Sequence, residues 1–508
     1  MPNMKISLTF CGVLPLLTIA LATPVDNLVP KNNGKARYSL LRKSDGSLTI
    51  TGHHRFVYVR SDQSIQAAIH NASPGTEIVI ESGTYAEQLT INKDGLTLTG
   101  RPGATIIPPA TFINNICTGL AGNTTDAAGT ATNTPLQAGI CIHGSHIQLA
   151  DFVTEHKKVI SVGRTVESVS ISGLTISNFT GINIAAVGTR NTRIHNNIVH
   201  DGGAYGILSA GSYNTVISGN EVSHSTLGTI GVCSDNFHGA RVLDNEVSSY
   251  FVGLCIQTSD SEIADNHVHE NCIGVFVDPR TDGAKIRNNH IGPTNEICRS
   301  IPIPSDVIRG IVVDGATNTL VRENIVEGQH SNGSATGIQV IDDPCNQGGL
   351  ACSLDTTKPA IASGNLVVGN VLGGNDVDLG LASIGSGNTF RRNECRSSNP
   401  EGLCGRSIQG MKVQHPSTTG LYSAYARIVG KEVAGPDQET EMADLGKVLG
   451  CEMNSRGLFW ACHVAYVGFE FLGVVAVESE MRFGPVASVG VGVPAEFTGF
   501  GIDLAARE

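Results

Sequence analysis

Short stretches of alternating apolar and polar residues recur along the middle of the chain at nearly constant spacing. One frame reads apolar-x-x-Asn-x-apolar, and its first five copies follow one another at intervals of 21–25 residues. Later copies lie further apart, as expected where loops are inserted between repeats. The frame contains Asn197, Asn220, Asn245, Asn266, Asn289 and Asn324, and Asn365 and Asn393 continue it more loosely.

A second frame, Gly followed by an aliphatic residue, runs in phase with the first. Each pair opens a short stretch of alternating residues, which is typical of a half-buried strand. One repeat therefore contains a Gly-led strand, a turn, an Asn-frame strand and another turn. The pairs begin at Gly181, Gly206, Gly231, Gly253, Gly274, Gly310 and Gly337.

A single repeat of this length cannot bury its own apolar side chains, so the repeats must stack. The pattern predicts an all-β fold, a right-handed single-stranded parallel β-helix over residues 56–407. The recurrent Asn is expected at a turn, where it tolerates left-handed backbone angles, and its side chain can bond along the axis as a ladder. A leucine-rich repeat has a similar period but needs a Leu-dominated pattern, which the chain lacks.

The segment before the repeats predicts a cap for the first coil. Ile65, Ala68 and Ile69 form the apolar face of a short amphipathic helix, and three short strands follow it. This opening resembles that of the pectin-lyase-like superfamily, with Gly83 and Tyr85 in its G-x-Y-x-E segment. Together with the repeats, the resemblance covers about 350 residues. It implies the right-handed β-helix fold, which that superfamily uses for carbohydrate-binding proteins, sugar hydrolases and pectin methylesterases.

Both ends of the chain lack the repeat. Residues 1–22 resemble a signal peptide, since an apolar stretch at 6–19 follows Lys5 and precedes a small-residue cleavage site. The stretch is too short for a membrane span, so a secreted, extracellular protein is expected. Residues 23–55 are interpreted as a polar linker or propeptide. Residues 408–508 lose both frames and stay unassigned, either as a cap or as an artefact of the gene model.

Composition narrows the class of partner. Gly is abundant at 60 residues, charged residues make up only 16%, and the net charge of −12 contains no basic cluster. Nucleic-acid binding, which requires a clustered basic face, is therefore not expected. The predicted partner is a polysaccharide or a small-molecule substrate, with no membrane, and the chain is expected to be a monomer.

Secretion would place the cysteines in an oxidising compartment. Twelve of the thirteen remain after a signal peptide containing Cys11 is removed, and an even number favours disulfides. The short-range candidates are Cys345–Cys352, Cys395–Cys404 and Cys451–Cys462. Glycosylation is predicted at four N-x-S/T sequons, at Asn71, Asn123, Asn178 and Asn332.

Alternation along the Gly-led strands predicts two outward-facing columns of side chains. The first is mainly apolar and contains Leu208, Cys233, Cys255, Phe276, Val312 and Gln339. The second is acidic and contains Ala210, Asp235, Gln257, Asp278, Asp314 and Ile341, with Asp342 and Asp343 just beyond. Cys233 and Cys255 are interpreted as a structural disulfide or as half-buried thiols.

The acidic column is the best candidate for chemistry. Asp278 and Asp314 would lie on adjacent coils, about 5 Å apart, and Asp235 and Asp278 two coils, about 10 Å, apart. Glycosidases use carboxylate pairs about 5–5.5 Å apart for retention or about 6.5–9.5 Å apart for inversion. Clustered carboxylates could instead bind Ca²⁺, and outward Asp residues are also common on solvated sheets that have no site. No metal-spaced Cys/His set is present, so no metal site and no other cofactor is predicted.

Two short motifs resemble those of β-helix enzymes. The segment from Asp278 to Asp282 resembles the D-P-H-D stretch of uronate epimerases, in which Asp and His act as acid and base; Arg280 replaces the His here. Arg280 could neutralise a uronate carboxylate. His238 and His143 stand in His-Gly pairs similar to that of polygalacturonases, whose other motifs are not all present.

These observations predict a secreted enzyme acting on an extended polysaccharide as a lyase, epimerase or glycoside hydrolase. The predicted catalytic residues are Asp278, Asp314, Asp235, Arg280 and His238. The predicted substrate-binding residues are Phe276, Val312, Gln257, Asp342 and Asp343. Two alternatives stay open: a non-catalytic glycan-binding or cell-wall protein, and an isomerase or cyclase that holds a small apolar metabolite against the apolar column.

Overall fold

The computed structural model describes nine stretches of the chain, and these include one long repetitive body. These stretches are residues 36–42, 48–125, 131–152, 155–300, 307–345, 358–404, 451–453, 459–466 and 469–476. The predicted signal peptide lies outside them. The body is a right-handed parallel β-helix, as predicted, whose coils pair strand to strand in three ladders.

The first ladder contains the strand that precedes each Asn of the Asn frame. The antiparallel strand Ala36–Arg42 lies at its edge, and the short pair Val166–Glu167 and Thr189–Arg190 lies beside it. Its parallel strands are Leu48–Val59, Thr76–Ile80, Thr97–Gly100, Ser170–Ser172, Arg193–His195, Tyr213–Ser218, His238–Leu243, Glu262–Ala264, Lys285–Arg287, Leu320–Arg322, Leu366–Val368 and Thr389–Arg391.

The second ladder contains the strand that follows each Asn of that frame. Two of its strands, Glu221–Asp235 and Glu246–Ile256, continue without a break into the third ladder. Its other strands are Gly83–Ala86, Ala104–Ile107, Thr175–Ser177, Ile198–His200, His267–His269, His290–Ile291, Ile325–Glu327 and Val371–Gly373.

The third ladder contains the Gly-led strands, together with the ends of those two long strands. Its other members are Leu89–Ile91, Ala138–His143, Ile182–Val187, Tyr205–Ala210, Ile273–Val277, Arg309–Asp314, Thr336–Ile341, Val377–Ala382 and Ser398–Asn399.

The interior of the coil is a continuous stack of aliphatic side chains. In the third ladder Ile207, Val232, Leu254 and Val275 are paired in register and no more than 1% exposed. Burying each such side chain contributes roughly 1.5–3 kcal/mol, which a single coil could not obtain alone.

An asparagine ladder runs inside the turn between the first and second ladders. Asn220 Nδ2 and the Asn220 backbone N–H both donate to Asn245 Oδ1, at 2.9 and 3.0 Å, and the same pair of bonds repeats from coil to coil. The ladder continues from Asn324 to Asn370 and not to Asn365, which begins a separate pair with Asn388. The members are Asn197, Asn220, Asn245, Asn266, Asn289, Asn324, Asn370 and Asn393.

The expected left-handed conformation belongs to the residue before each ladder Asn. Asp244 and Asp265 have φ of 53° and 60°, for example, and precede Asn245 and Asn266. The prediction was therefore one residue out, because the ladder Asn is needed as a buried hydrogen-bonding group while its neighbour makes the turn.

A short helix, Ile65–Asn71, covers the open end of the first coil, as predicted. Ser64 is its N-cap, and Ile65 and Ile69 face the core. Glu87 accepts hydrogen bonds from the Ser64 hydroxyl and from the Ile65 and Gln66 backbone N–H groups, at 2.8–2.9 Å. Glu87 thus holds the cap, since an acidic side chain satisfies the free N–H groups at a helix start.

Disulfides staple the insertions to the coil. The predicted bond Cys395–Cys404 is present, and Cys117–Cys141 and Cys272–Cys298, which were not predicted, are also formed. Cys345 is disulfide-bonded, and its predicted partner Cys352 lies outside the described residues. All four sequon Asn side chains are exposed, while their glycosylation stays a prediction.

Several further elements lie before, between and after the repeats. The predicted linker, residues 23–55, contains the strand Ala36–Arg42 and part of Leu48–Val59. A second helix is Glu296–Ser300, and no helix in the described stretches is long and apolar enough to span a membrane. A separate unit contains an antiparallel sheet in which Cys451 pairs in register with Cys462; its strands are Cys451–Met453, Phe459–Tyr466 and Phe469–Ala476.

Candidate acid–base site

The outward residues of the third ladder stack in the register that the Gly frame predicts. Leu208, Cys233, Cys255, Phe276 and Val312 are successive partners along the ladder. They belong to an apolar cluster that is separate from the interior of the coil. Successive side chains of a Gly-led strand therefore point alternately into the interior of the coil and into this outer cluster, which is a second core.

A hairpin covers this face. Its strands are Ser145–Leu149 and Val159–Arg164, and the described residues 150–152 and 155–158 belong to its tip. Val159 packs into the outer cluster, and the second antiparallel pair, Asn123–Thr125 with Ala131–Pro135, lies in the insertion just before it. Phe276 is 8% exposed and Val312 is 1% exposed. The predicted open apolar column is thus buried, because an insertion folds over apolar surface that would otherwise face water.

The hairpin tip brings a histidine and a lysine onto the acidic column. His156 Nε2 lies 3.0 Å from Asp235 Oδ2, and His156 Nδ1 lies 2.9 Å from the Tyr205 hydroxyl. Lys158 Nζ lies 3.4 Å from the same Asp235 oxygen. Since ionised Asp235 can only accept, Nε2 carries the proton towards it, and in this tautomer Nδ1 can accept from the Tyr205 hydroxyl.

Gln257 connects this group to two further carboxyl groups. Its Nε2 atom donates to Glu155 Oε2 at 2.8 Å and to Asp278 Oδ2 at 2.7 Å, while its Oε1 atom accepts from Lys158. We call Glu155, His156, Lys158, Tyr205, Asp235, Gln257 and Asp278 the polar cluster.

The environment drives the pKa values of its carboxyl groups apart. Burial would raise the pKa of Asp235, but the hydrogen bond from His156 and the ammonium of Lys158 outweigh it and lower the pKa. Burial and the nearby Glu155 carboxylate raise the pKa of Asp278 well above its usual value. Burial also raises the pKa of Glu155. The site therefore favours the ionised form of Asp235 and the protonated form of Asp278, which is the division that acid–base catalysis uses.

The basic and phenolic groups are held in their protonated forms. Burial opposes the charge of Lys158, but Asp235, Asp278 and Glu155 outweigh it and raise the pKa of the ammonium. Burial raises the pKa of the Tyr205 hydroxyl well above its usual value. Tyr205, His156 and Asp278 are at most 2% exposed, whereas 18% of the Asp235 side chain and 11% of the Lys158 side chain reach solvent.

Asp314 lies one coil beyond Asp278 and has a different environment. Burial and the Asp343 carboxylate raise its pKa to about 7. The Asp342 and Asp343 carboxylates also have structural partners: Asp342 accepts from the Ala362 and Ile384 backbone N–H groups at 2.8 Å, and Asp343 accepts from Cys345 N–H at 2.6 Å.

Arg280 and His238 lie away from the polar cluster. Arg280 is exposed and donates to the Lys358 carbonyl oxygen at 2.7 Å. His238 is exposed and begins a strand of the first ladder, whereas the acidic column belongs to the third. The turn between Asp235 and His238 separates the two ladders, so closeness in sequence does not bring these side chains together.

Two buried thiols border the cluster. Cys233 Sγ and Cys255 Sγ lie 2.6 Å apart and form no disulfide. Burial raises the pKa of Cys233 to about 11. Glu155, Cys255 and Asp278 each place one ligand atom within 4.8 Å of the others. Ca²⁺ does not fit there, because it needs six to eight oxygen ligands, and Gln257 and Lys158 already bond or neutralise these carboxyl groups.

The sequence analysis missed His156, Lys158, Tyr205 and Glu155. Glu155, His156 and Lys158 stand in one charged run, Glu-His-Lys-Lys at residues 155–158, which is unusual in a chain with so few charges. That run was the available signal, but nothing in the repeat frames indicates where a hairpin tip will pack.

Comparison with known proteins gives one family match. A family model described as periplasmic copper-binding protein (NosD) matches residues 69–300. No curated protein sequence matches the chain. The resemblance to pectin-lyase-like right-handed parallel β-helix proteins is confirmed at the level of the fold.

Several solved structures are similar at low identity. The DFA-IIIase of Arthrobacter chlorophenolicus A6 is 14% identical over 64% of this chain and 88% of that one, with a TM-score of 0.39. The A-module of the Azotobacter vinelandii mannuronan C-5 epimerase AlgE6 is 14% identical over 66% and 92%, also at 0.39. An alginate lyase from Paenibacillus sp. str. FPU-7 is 13% identical over 65% and 99%, at 0.38.

Proposed function

We propose that the chain is a secreted acid–base enzyme that acts on an extended, uronate-containing polysaccharide as a lyase or epimerase. The observation that carries the proposal is the hydrogen-bonded series Tyr205–His156–Asp235 with Lys158 beside it. Both reactions need a cation near the substrate carboxylate and a paired proton donor and acceptor near the sugar carbon that loses its proton.

Each member of the series has a role that follows from its protonation state. Asp235 orients His156 and stabilises its charged form, so His156 can take the proton of the Tyr205 hydroxyl. The raised pKa of Tyr205 keeps it protonated at rest. Once His156 has taken that proton, the phenolate removes the proton from C5 of the uronate, and the re-formed hydroxyl donates it to the leaving oxygen before His156 returns its own proton to Tyr205. Lys158 is the group that would pair with the uronate carboxylate, because it is cationic and reaches solvent.

Asp278 would assist from the far side of Gln257. A protonated carboxyl group can donate a hydrogen bond to a substrate oxyanion, which an ionised one cannot. Asp314, with a pKa of about 7, is a second such donor on the next coil. Because Tyr205 and His156 are buried, a substrate reaching them requires the hairpin tip to shift from the position described.

A glycoside hydrolase is the second candidate, and one observation favours it. The raised pKa of Asp278 favours its protonated form and the lowered pKa of Asp235 favours its ionised form, as a general acid and a general base would require. Two coils of about 4.8 Å put them close to the upper end of the spacing used by inverting enzymes.

A non-catalytic glycan-binding protein remains the alternative outside enzymes, and the burial of Asp278 favours it. In that role the polar cluster only fastens the hairpin to the coil. The isomerase or cyclase alternative called for an enclosed pocket under residues 292–308 and 342–360, and residues 301–306 and 346–357 lie outside the described stretches.

The products of turnover decide among these functions. The purified full-length protein is incubated with neutral and uronate polysaccharides, and ultraviolet absorbance, new reducing ends and the C5 configuration are followed. Unsaturated products or inverted C5 centres support the proposal. New reducing ends without unsaturation would replace it with the hydrolase. Polymer binding without turnover would replace it with the glycan-binding protein, and neither binding nor turnover would reject all three polysaccharide functions.

A further inference from the structure

A second set of ionisable side chains lies on the outer face of the second ladder, away from the polar cluster. Glu246, His267 and His290 are successive partners along that ladder, and His269 stands two residues after His267 on the same face. The sheet register alone therefore gathers three imidazoles and a carboxylate on neighbouring coils.

The side chains of this set converge. Glu246, His267 and His269 each place a ligand atom within 4.8 Å of the others. His269 Nε2 lies 3.3 Å from Glu246 Oε1, and the rings of His267 and His269 stack with centroids 4.5 Å apart. The set reaches solvent, because 57% of the Glu246 side chain and 22% of the His269 side chain are exposed.

We propose that Glu246, His267 and His269 form a surface site for a divalent transition-metal ion of the Zn²⁺ or Cu²⁺ class. Imidazole nitrogen and carboxylate oxygen are the ligands these ions take from proteins, and imidazole disfavours Ca²⁺ and Mg²⁺. Two His and one Glu supply three ligands, which leaves a position for water or for a group of a bound molecule.

Neighbouring groups hold the proposed ligands in place. His290 stacks on His267 at 5.1 Å with an interplanar angle of 19°, and His290 Nε2 lies 2.8 Å from Glu327 Oε1. Such outer contacts fix ring orientation around metal sites. The ligands also sit on paired strands and not on loops, so little ordering is needed on binding.

The competing set of Glu155, Cys255 and Asp278 is less suited to this ion. Glu155 and Asp278 already accept hydrogen bonds from Gln257. The nearby Lys158 ammonium also disfavours a second cation there. A sulfur ligand would also give a distinct spectroscopic signature, so the two sets can be told apart.

Calorimetric titration of the chelator-treated full-length protein with Zn²⁺, and separately with Cu²⁺, tests the site. We expect one ion per chain, with affinity at least tenfold weaker in His267→Gln and in His269→Gln. His200→Gln is the matched control, because His200 stands in the same outward column as His269, three coils away. It should bind as the unchanged protein does, and thermal melts identify any variant that fails to fold.

Electron paramagnetic resonance of the Cu²⁺ form is a second measurement of the ligands. Glu246→Gln is a third ligand variant, to be used if a His variant misfolds. Nitrogen coupling that falls from two imidazoles to one in His267→Gln supports the site. Absence of saturable binding overturns the proposal. An affinity that is the same in all three ligand variants as in the unchanged protein overturns it too. A sulfur-to-copper absorption band that Cys255→Ser removes would place the ion in the buried set and would also overturn it.

Discussion

Asp235 accepts a hydrogen bond from His156 at 3.0 Å although the two residues are 79 positions apart in the chain. Asp235 ends a strand of the third ladder, and His156 sits at the tip of a hairpin that leaves the coil three turns earlier. This contact closes the polar cluster and fastens the hairpin to the coil.

Replacing His156 with Gln should weaken both functions of that contact. The Tyr205 hydroxyl and Asp235 would lose a shared partner inside a buried site, which costs about 1–3 kcal/mol. Chemical denaturation at pH 7 measures the loss. His200→Gln serves as the control, because the His200 ring bonds Ser223, its neighbour in the same column, at 2.6 Å and lies outside the polar cluster. Equal stability of the two variants would contradict the buried contact.

Two of the three carboxyl groups of the polar cluster, those of Asp235 and Asp278, should respond differently to neutralisation. Asp235→Asn removes an ionised partner and takes from Lys158 the carboxylate that most raises its pKa, so we expect a loss of about 3 kcal/mol or more. Asp278→Asn replaces a carboxyl group whose protonated form the site favours, so we expect a change within about 1 kcal/mol. Urea denaturation of both variants at pH 7 compares them, and a larger loss in Asp278→Asn would show that the protonation states are reversed.

The pKa of Asp314 predicts a pH dependence of stability. Its folded-state pKa of about 7 exceeds the unfolded value near 3.8, so between these values the folded chain binds the extra proton. Stability should therefore fall as pH rises from about 4 to about 7, by up to roughly 4 kcal/mol. Asp314→Asn should flatten that part of the curve, measured by denaturation at several pH values. An unchanged slope would mean that Asp314 ionises normally.

The glycines of the second frame are required by close packing. A Cβ on Gly231 would lie 2.6 Å from Val247 Cγ1 and 2.7 Å from the Gly253 carbonyl oxygen. Gly231→Ala should therefore cost about 1–3 kcal/mol through overpacking. Gly373→Ala is the matched control on a neighbouring ladder, since nothing lies within 4 Å of its Cβ position; similar melting temperatures for the two would contradict the packing reason.

The fold was predictable because the Gly frame and the Asn frame of the repeat both predict the same stacked coils. Gly206 and Gly231 lie opposite each other where two strands of the third ladder pair in register, and the Asn frame marks a buried hydrogen-bonded ladder. The stacking follows from period alone, since only stacked coils can bury these residues. The switch from Asn365 to Asn370 was missed because inserted loops obscure the frame in the last coils.

The candidate site was predictable only in part. Alternation correctly placed Gln257 and Asp278 on neighbouring coils of one column, because a ladder carries its register from coil to coil. It gave no information about the hairpin, whose packing depends on surface fit and not on period. Arg280 and His238 were chosen from short motifs, and their places in the structure depend on turns that no repeat specifies.

The most direct test of the proposed function is the turnover of uronate polysaccharide by the unchanged protein and by Asp235→Asn, His156→Gln and Asp278→Asn, with His238→Gln as the control outside the polar cluster. Ultraviolet absorbance of unsaturated ends and nuclear magnetic resonance of the C5 configuration are recorded at matched folded concentrations. We expect Asp235→Asn and His156→Gln to lose at least a hundredfold in kcat, Asp278→Asn to lose less, and His238→Gln to retain full activity. Turnover that survives in Asp235→Asn and His156→Gln would contradict the assignment of the acid–base centre to the cluster beneath the hairpin.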